Sequence, residues 1–220
     1  MKKVFIVANW KSNKTESEAK NWLSAVSSLK GQDLSDKEII VCPSFVHLSA
    51  MKMFIKEQKL PIKLGAQDIS SFNEGAYTGE ISGKQIKELA DYVIIGHSER
   101  RKNFGETDEM LLEKFKFAKE NSLAVIFCVQ GKETKIPENV DIVAYEPINA
   151  IGTGNPDTPE NAEDVGAYFK ANFQVGAILY GGSVTAANVN SFTQMSNIDG
   201  VLVGKASLDP LEFLQIVKNA

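Results

Sequence analysis

The sequence predicts an α/β fold, a (β/α)8 barrel, and three observations carry that expectation. Eight short strand-like runs alternate with helical stretches along nearly the whole chain. Most of these runs are apolar at every position rather than at every second one, as in parallel strands buried on both faces beneath helices. No Gly-x-Gly-x-x-Gly follows the first run, which weakens the competing reading, a doubly wound dinucleotide-binding sheet. At 220 residues, 43% of them hydrophobic, the chain can bury a large core. No linker or low-complexity stretch divides it, so one domain over residues 1–220 is expected.

Val4–Ala8 reads as the first strand. Thr15-x-x-Glu18 is a capping box, and Ala19, Trp22, Leu23, Val26 and Leu29 follow at helical spacing up to Gly31. Glu38–Cys42 is a second strand stopped by Pro43, with a helix over Ser44–Gln58 that carries His47 on its surface. Pro61 precedes the third strand, Ile62–Gln67. Ser82-x-x-Gln85 caps a short helix before the fourth strand, Tyr92–Gly96. Asp108–Asn121 is helical, with Leu111, Phe115 and Ala118 on one face. Leu123–Val129 and Asp141–Tyr145 are strands five and six. A helix over Pro159–Phe173 starts behind Thr158, the N-cap. Gly176–Tyr180 and Ile198–Val203 are strands seven and eight, each followed by a helix. In the last helix, capped by Asp209-Pro210, Leu211, Leu214 and Val217 are expected to point one way.

Two connections break the rhythm. Asp68–Gly79 is longer than the ~4–6 residues usual between elements, and it carries Ile69, Phe72 and Tyr77, costly to leave in water. Gln130–Val140, between strands five and six, is barely the ~10–12 residues of a parallel crossover. The helix after strand five is therefore expected to be missing or vestigial.

Composition narrows the function classes. The net charge is −4, and no basic block or aromatic-interleaved patch suggests nucleic acid. No apolar run approaches the ~20 residues that span a bilayer, and Asn9-Trp10-Lys11 cuts the first run too short for a signal peptide. Cys42 and Cys128 lie far apart in sequence and do not suggest a disulfide framework. A cytoplasmic protein without partners in nucleic acid or membrane is expected.

In a barrel of this kind, active sites lie where the strands end. Strand one ends in Asn9-Trp10-Lys11, strand four in Gly96-His97-Ser98-Glu99-Arg100-Arg101, strand six in Glu146, strand seven in Gly181-Gly182-Ser183 and strand eight in Gly204-Lys205. After Glu146, Pro147 stops the strand, and an Ala-Ile-Gly-Thr-Gly stretch leads to the next helix. By itself that layout suits either a catalytic base beneath a lid or a surface loop after an acidic strand end.

The combination resembles triosephosphate isomerase over nearly the whole chain. Its carriers are Asn9-Trp-Lys, Gly75-Ala-Tyr-Thr-Gly-Glu80, Gly96-His-Ser-Glu-Arg-Arg101, Phe104-Gly-Glu-Thr-Asp-Glu109, Tyr145-Glu-Pro147 with Ala150-Ile-Gly-Thr-Gly154, Tyr180-Gly-Gly-Ser-Val184 and Leu202-Val-Gly204. The resemblance implies a (β/α)8 barrel that interconverts D-glyceraldehyde 3-phosphate and dihydroxyacetone phosphate in glycolysis and gluconeogenesis, without cofactor or metal. Glu146 would then be the base, its pKa raised by a dry pocket. His97 would act as a neutral imidazole at the start of a short helix, donating to the enediolate oxygens. Lys11 would supply fixed positive charge, with Asn9 and Glu99 orienting it. Gly152, Ser183 and Gly204 match the family's phosphate contacts, and the N–H of Lys205 can add to them. Each residue has a plainer reading: a rim carboxylate paired with arginine, a packed strand-end histidine, a solvated lysine, a tight glycine turn.

The chain departs from the family at three places. Asn149 stands where tryptophan is common at the base of the lid, Lys205 replaces a usual glycine, and the helix after strand five is lost, as in the shortened archaeal members. The rival readings are another phosphosugar barrel, an aldolase or epimerase, and a phosphate-binding scaffold without catalysis. Strand six ends in Glu146 where a Schiff-base aldolase would want a buried lysine, and two histidines are few for a metal-dependent epimerase. In the family the Asp68–Gly79 loop inserts into a neighbouring subunit, with Thr78 at the matching position here. The resemblance thus implies a homodimer, and similarity to the shortened members makes a homotetramer the alternative.

Overall fold

The computed structural model describes residues 2–148 and 156–220. Eight parallel strands close into a barrel in sequence order: β1 (Val4–Asn9), β2 (Lys37–Cys42), β3 (Lys63–Ala66), β4 (Tyr92–Ile95), β5 (Ala124–Val129), β6 (Ile142–Tyr145), β7 (Ala177–Tyr180) and β8 (Gly200–Val203). The last strand pairs with the first in a register running from Phe5 opposite Gly200 to Ala8 opposite Val203.

Alternation along the strands explains why the runs are apolar throughout. Val7, Ile40, Ile94, Ile126, Ile142, Leu179 and Leu202 form the inner cluster. Their strand neighbours Ile6, Val41, Val93, Val125, Val143 and Val201 belong to the outer one, packed under the helices. Both faces are dry, and the buried polar exceptions, Asn9 of β1 and Glu38 of β2, sit near strand ends. Gly65 is part of the same packing: a Cβ there would lie 2.5 Å from the Cys42 Sγ.

The helices start where the caps are written. Thr15 and Glu18 form a complete capping box on α1 (Glu16–Ala25), and Ser82 and Gln85 form another on α3 (Gly83–Lys87). α2 spans Phe45–Gln58. Thr158 caps α6 (Pro159–Asn172), and the Asp209 carboxylate accepts from Leu211 and Glu212 N–H at the start of α8 (Pro210–Asn219). Each cap satisfies donors that the first helical turn leaves without partners. A short helix, α4 (Ser98–Phe104), precedes α5 (Asp108–Glu120), and α7 covers Val189–Thr193. Between β5 and β6 the chain makes only turns and bends, so the expected loss of the helix after strand five holds.

Two expectations are corrected. His47 is not on the helix surface but buried at 5% exposure, its Nε2 donating to the Lys14 carbonyl at 2.9 Å. Leu211 is 67% exposed, and α8 buries Phe213, Ile216 and Val217 instead. The helix therefore presents the stripe that begins at Phe213, the larger side chain. In the Asp68–Gly79 loop Ile69 is buried, whereas Phe72 and Tyr77 stay roughly half exposed, stacked at 4.4 Å between ring centres.

The opposite mouth of the barrel is closed by an ionic cluster at the strand starts. Glu38 of β2 is buried, ion-paired with Lys3 and with Lys63 and accepting from the Tyr92 hydroxyl at 2.8 Å. Burial opposes its ionisation, but the hydrogen bonds from Lys3, Lys63 and Tyr92 prevail and hold its pKa at about 2, against an ordinary 4.5. A depressed carboxyl stabilises the fold above its unfolded pKa and loses that contribution as pH falls toward the folded value. Glu38→Gln should therefore lower stability by about 1–3 kcal/mol at neutral pH. The variant should also lose less stability than the unaltered chain between pH 4.5 and about 2. Urea titrations across that range test this; parallel curves for the two proteins would dismiss it.

Candidate active site

The strand ends bring Asn9, Lys11, His97, Glu146, Gly181–Ser183, Gly204 and Lys205 to the wall of one cleft of about 980 Å³. Glu146 directly follows β6 and is 1% exposed. Its Oε1 lies 3.0 Å from His97 Nε2, and its Oε2 accepts from the Ser98 N–H at 2.9 Å. Burial raises the pKa of this carboxyl, as the sequence leads one to expect. The hydrogen bonds from His97 and Ser98, together with the positive charge of the imidazole when it is protonated, outweigh it, and the net shift is downward. The group stands ionised, as a proton acceptor must.

His97 caps α4, its Nδ1 accepting from the Glu99 N–H at 3.2 Å. An imidazole whose Nδ1 accepts carries its proton on Nε2 when neutral, and that N–H is the one directed at Glu146. The cap thus fixes the tautomer, and with it the donor facing the cleft.

Lys11 occupies the left-handed region with φ 52°, unfavourable for a residue with a Cβ. Three groups hold it there. Asn9 Oδ1 accepts its N–H at 3.0 Å, while Ser44 Oγ and Gln67 Nε2 donate to its carbonyl at 3.1 and 2.9 Å. The side chain then reaches Glu99, Nζ to Oε1 being 2.5 Å. Asn9 therefore orients the backbone of Lys11, and Glu99 its ammonium.

Around the far wall, small residues let backbone approach side chain. A Cβ on Gly204 would lie 3.6 Å from Lys11 Cε, and one on Gly181 would lie 3.1 Å from Glu146 Cγ. Lys205 is exposed at the rim. Gly152 and Asn149 lie outside the described residues.

The sequence model of the family described as Triosephosphate isomerase matches residues 4–220. This chain belongs to that family. A triosephosphate isomerase of Dehalococcoides mccartyi is 40% identical over 251 aligned residues, covering 100% of this chain and 97% of the relative. One from Mesomycoplasma hyopneumoniae is 39% identical over 246, and one from Dictyoglomus thermophilum 40% over 253, each covering 100% of both chains. All three alignments are longer than the 220 residues of this chain, so the relatives carry segments without counterpart here.

Sequence reading gives no role to four residues that touch Lys11 or Glu146 in the candidate site. Ser44 and Gln67 support Lys11 from the ends of β2 and β3. Ser98 contributes its N–H to Glu146. Cys128 near the end of β5 is fully buried, and its thiol pKa is pushed well up by burial and by the Glu146 carboxylate beside it. Strand ends two, three and five were the available signal, because a barrel turns every strand end toward the same mouth.

Proposed function

We infer that this single-domain chain interconverts D-glyceraldehyde 3-phosphate and dihydroxyacetone phosphate through an enediolate, as a cytoplasmic enzyme of glycolysis and gluconeogenesis. The observation that carries the reading is the buried Glu146 carboxylate facing the Nε2–H of His97 at 3.0 Å, with the Lys11 ammonium in the same cleft. A proton acceptor, a neutral donor and a cation around one small space are what a proton shift between adjacent carbons needs.

Substrate entering between Glu146 and His97 replaces their contact. Glu146 takes the proton from the carbon next to the carbonyl, and the resulting enediolate carries its charge on oxygen. His97 Nε2–H donates to those oxygens, and Lys11 stabilises the charge without giving up its proton. Glu146 then returns its proton to the neighbouring carbon, and the proton exchange between the two oxygens passes through His97. The phosphate is held by backbone N–H groups at Gly152, Ser183, Gly204 and Lys205, where negative charge meets main-chain dipoles. No cofactor or metal takes part in this scheme.

The test is a coupled assay of the purified chain in both directions. Interconversion of the two triose phosphates is expected. Phosphate binding without turnover would leave only the scaffold reading, and cleavage or epimerisation of a phosphosugar would favour the rival enzymes.

The working form is a homodimer. The Asp68–Gly79 loop is held across its base by Ser70 N–H to the Ile81 carbonyl and within itself by Tyr77 N–H to the Gly75 carbonyl, so its exposed Phe72–Tyr77 stack is preorganised for a partner. Arg100 ties the loop's base at Asp68 to the exposed ring of Phe104, widening the apolar surface around it. A two-fold contact through this loop would bring Thr78 to the partner's site, as the resemblance implies. Light scattering at micromolar concentration should give twice the 24.1 kDa of the chain. Four times that mass would support the tetramer, with half-exposed Leu112 near the shortened crossover as its second contact. A fully active monomer would overturn both.

A further inference from the structure

We propose that the Lys205 ammonium forms a second anion subsite beside the phosphate cradle, so that the cleft takes a condensed, two-phosphate anion in preference to a single phosphate. This deepens the isomerase reading above and rests on its phosphate contacts. Lys205 lines the cleft of about 980 Å³ together with Ser183, Thr185, Asn188 and Glu212. That volume lies near the top of the about 300–1,000 Å³ that holds a drug-sized ligand, more room than a three-carbon phosphate fills.

The backbone that carries Lys205 is fixed from several sides. Lys205 opens a single 3-10 turn, Lys205–Leu208. The Ser207 N–H and hydroxyl both donate to the Gly204 carbonyl, at 2.9 and 2.7 Å, and Ser207 is fully buried. The Ser207 carbonyl accepts from the Trp22 indole N–H at 3.0 Å, and the Leu208 carbonyl from the Lys14 ammonium at 2.8 Å. A Cβ on Gly204 would lie 3.6 Å from Lys11 Cε, so this backbone borders the catalytic cation. The Cα of Lys205 is one peptide further, about 3.8 Å. Its four-carbon stem therefore starts from a fixed point beside the N–H groups proposed to hold the phosphate.

The charged side chains around that point are engaged, with one exception. Lys11 pairs with Glu99, and Lys14 with the Leu208 carbonyl. Asp209 Oδ1 accepts from the Leu211 and Glu212 N–H groups, and Glu212 Oε1 accepts from the Ala186 N–H at 2.9 Å. Lys205 is exposed, and among the described residues its ammonium has neither a hydrogen bond nor an ion pair. A solvated lysine is the ordinary reading of such a residue. Its place in the wall of an anion site separates this one from a surface lysine. An ammonium on a flexible stem meets phosphate oxygens as a point charge, without demanding one geometry. A triose phosphate directs uncharged oxygens toward Glu146 and His97, and its single phosphate is met by backbone N–H groups. An anion with a second phosphate brings Lys205 a charge of its own. Because it fills the same cradle, it should compete with substrate.

The probe is inorganic pyrophosphate, compared with inorganic phosphate in metal-free buffer, by calorimetry on the full chain and as an inhibitor of the isomerase assay. At low ionic strength pyrophosphate should bind about tenfold more tightly than phosphate, the scale of one charge-assisted hydrogen bond, and inhibit competitively. Lys205→Met should reduce that preference about fivefold, the upper range for a solvent-exposed charge pair. Lys205→Arg should keep it, and Lys205→Glu should abolish it. Lys218→Met, the same charge change on the exposed end of α8, should leave the preference as it is. Raising the ionic strength from about 0.01 M to about 1 M shortens the screening length from about 30 Å to about 3 Å, and the gap between the unaltered chain and Lys205→Met should close. Equal affinities of the unaltered chain for the two anions would overturn the proposal. So would a preference that stays within about twofold of normal in Lys205→Met, or an equal loss in Lys218→Met. The two readings fail separately: a chain without turnover that prefers pyrophosphate through Lys205 keeps the subsite, and an active isomerase without that preference loses it. A chain that binds neither anion loses both.

Discussion

Glu146→Gln should lower turnover by at least ~10³-fold, within the range that a general base contributes, and leave phosphate binding nearly unchanged. The amide has the shape of the carboxylate but cannot take a carbon-bound proton. The proposed phosphate contacts lie elsewhere, on the backbone around Ser183 and Gly204, so affinity for inorganic phosphate should survive. A second consequence follows from the donors that surround the group. The Ser98 N–H and the His97 Nε2 each face one carboxylate oxygen. A glutamine offers only one oxygen, so either its NH2 faces a donor or His97 must change tautomer. The latter would cost the Nδ1 bond that caps α4. A buried donor without a partner costs about 1–3 kcal/mol, and Glu146→Gln should therefore also be less stable than the unaltered chain. Steady-state kinetics with a phosphate titration and a denaturant melt check all three statements. Turnover near normal would remove Glu146 from its role, whatever happened to stability.

Which parts of this site could be read before the structure depended on the kind of signal. The barrel followed from strand runs that are apolar on both faces, because only a covered parallel sheet buries both. Glu146, His97 and Lys11 could be singled out because a charged or titratable side chain at the end of an apolar strand is rare. Gln67 and Ser44 could not be weighted in this way, since polar uncharged residues at strand ends are ordinary. Their importance appears only with the positive φ of Lys11, a feature that side-chain types do not encode. The downward shift of Glu146 departs from the sequence expectation for a related reason. Burial can be inferred from apolar surroundings, but the two donors that reverse its effect come from a cap geometry at residues 97 and 98. His47 shows the same limit at α2: a polar residue was placed outside, yet a backbone carbonyl at Lys14 gave it a partner inside.

The strained backbone of Lys11 gives an expected result in which activity and stability part. Lys11→Gly should abolish at least ~10² of the turnover, the scale for losing one preorganised charge-stabilising group. Its thermal midpoint should nevertheless hold steady or rise. Glycine adopts φ near 52° without the clash that a Cβ brings, and relieving such a residue is worth about 1–3 kcal/mol. Against this stands the greater freedom of glycine in the unfolded chain, about 0.5–1 kcal/mol. The bonds that hold the segment are made by backbone atoms: the N–H to Asn9, and the carbonyl to Ser44 and Gln67. Glycine keeps all three. The side-chain bond that is lost, to Glu99, involves a carboxylate that is 42% exposed and can return to water. The midpoint should thus shift by between zero and a few degrees upward, at ~2–4 °C per kcal/mol for a domain of this size. Calorimetry beside the isomerase assay measures both. A fall of more than ~5 °C would mean that the lysine side chain holds the fold together. Near-normal turnover would mean that the cation lies beside the chemistry without taking part. The expected pair of results, a fold at least as stable and an enzyme nearly inactive, would show that the strain at position 11 is retained for the ammonium it places in the cleft.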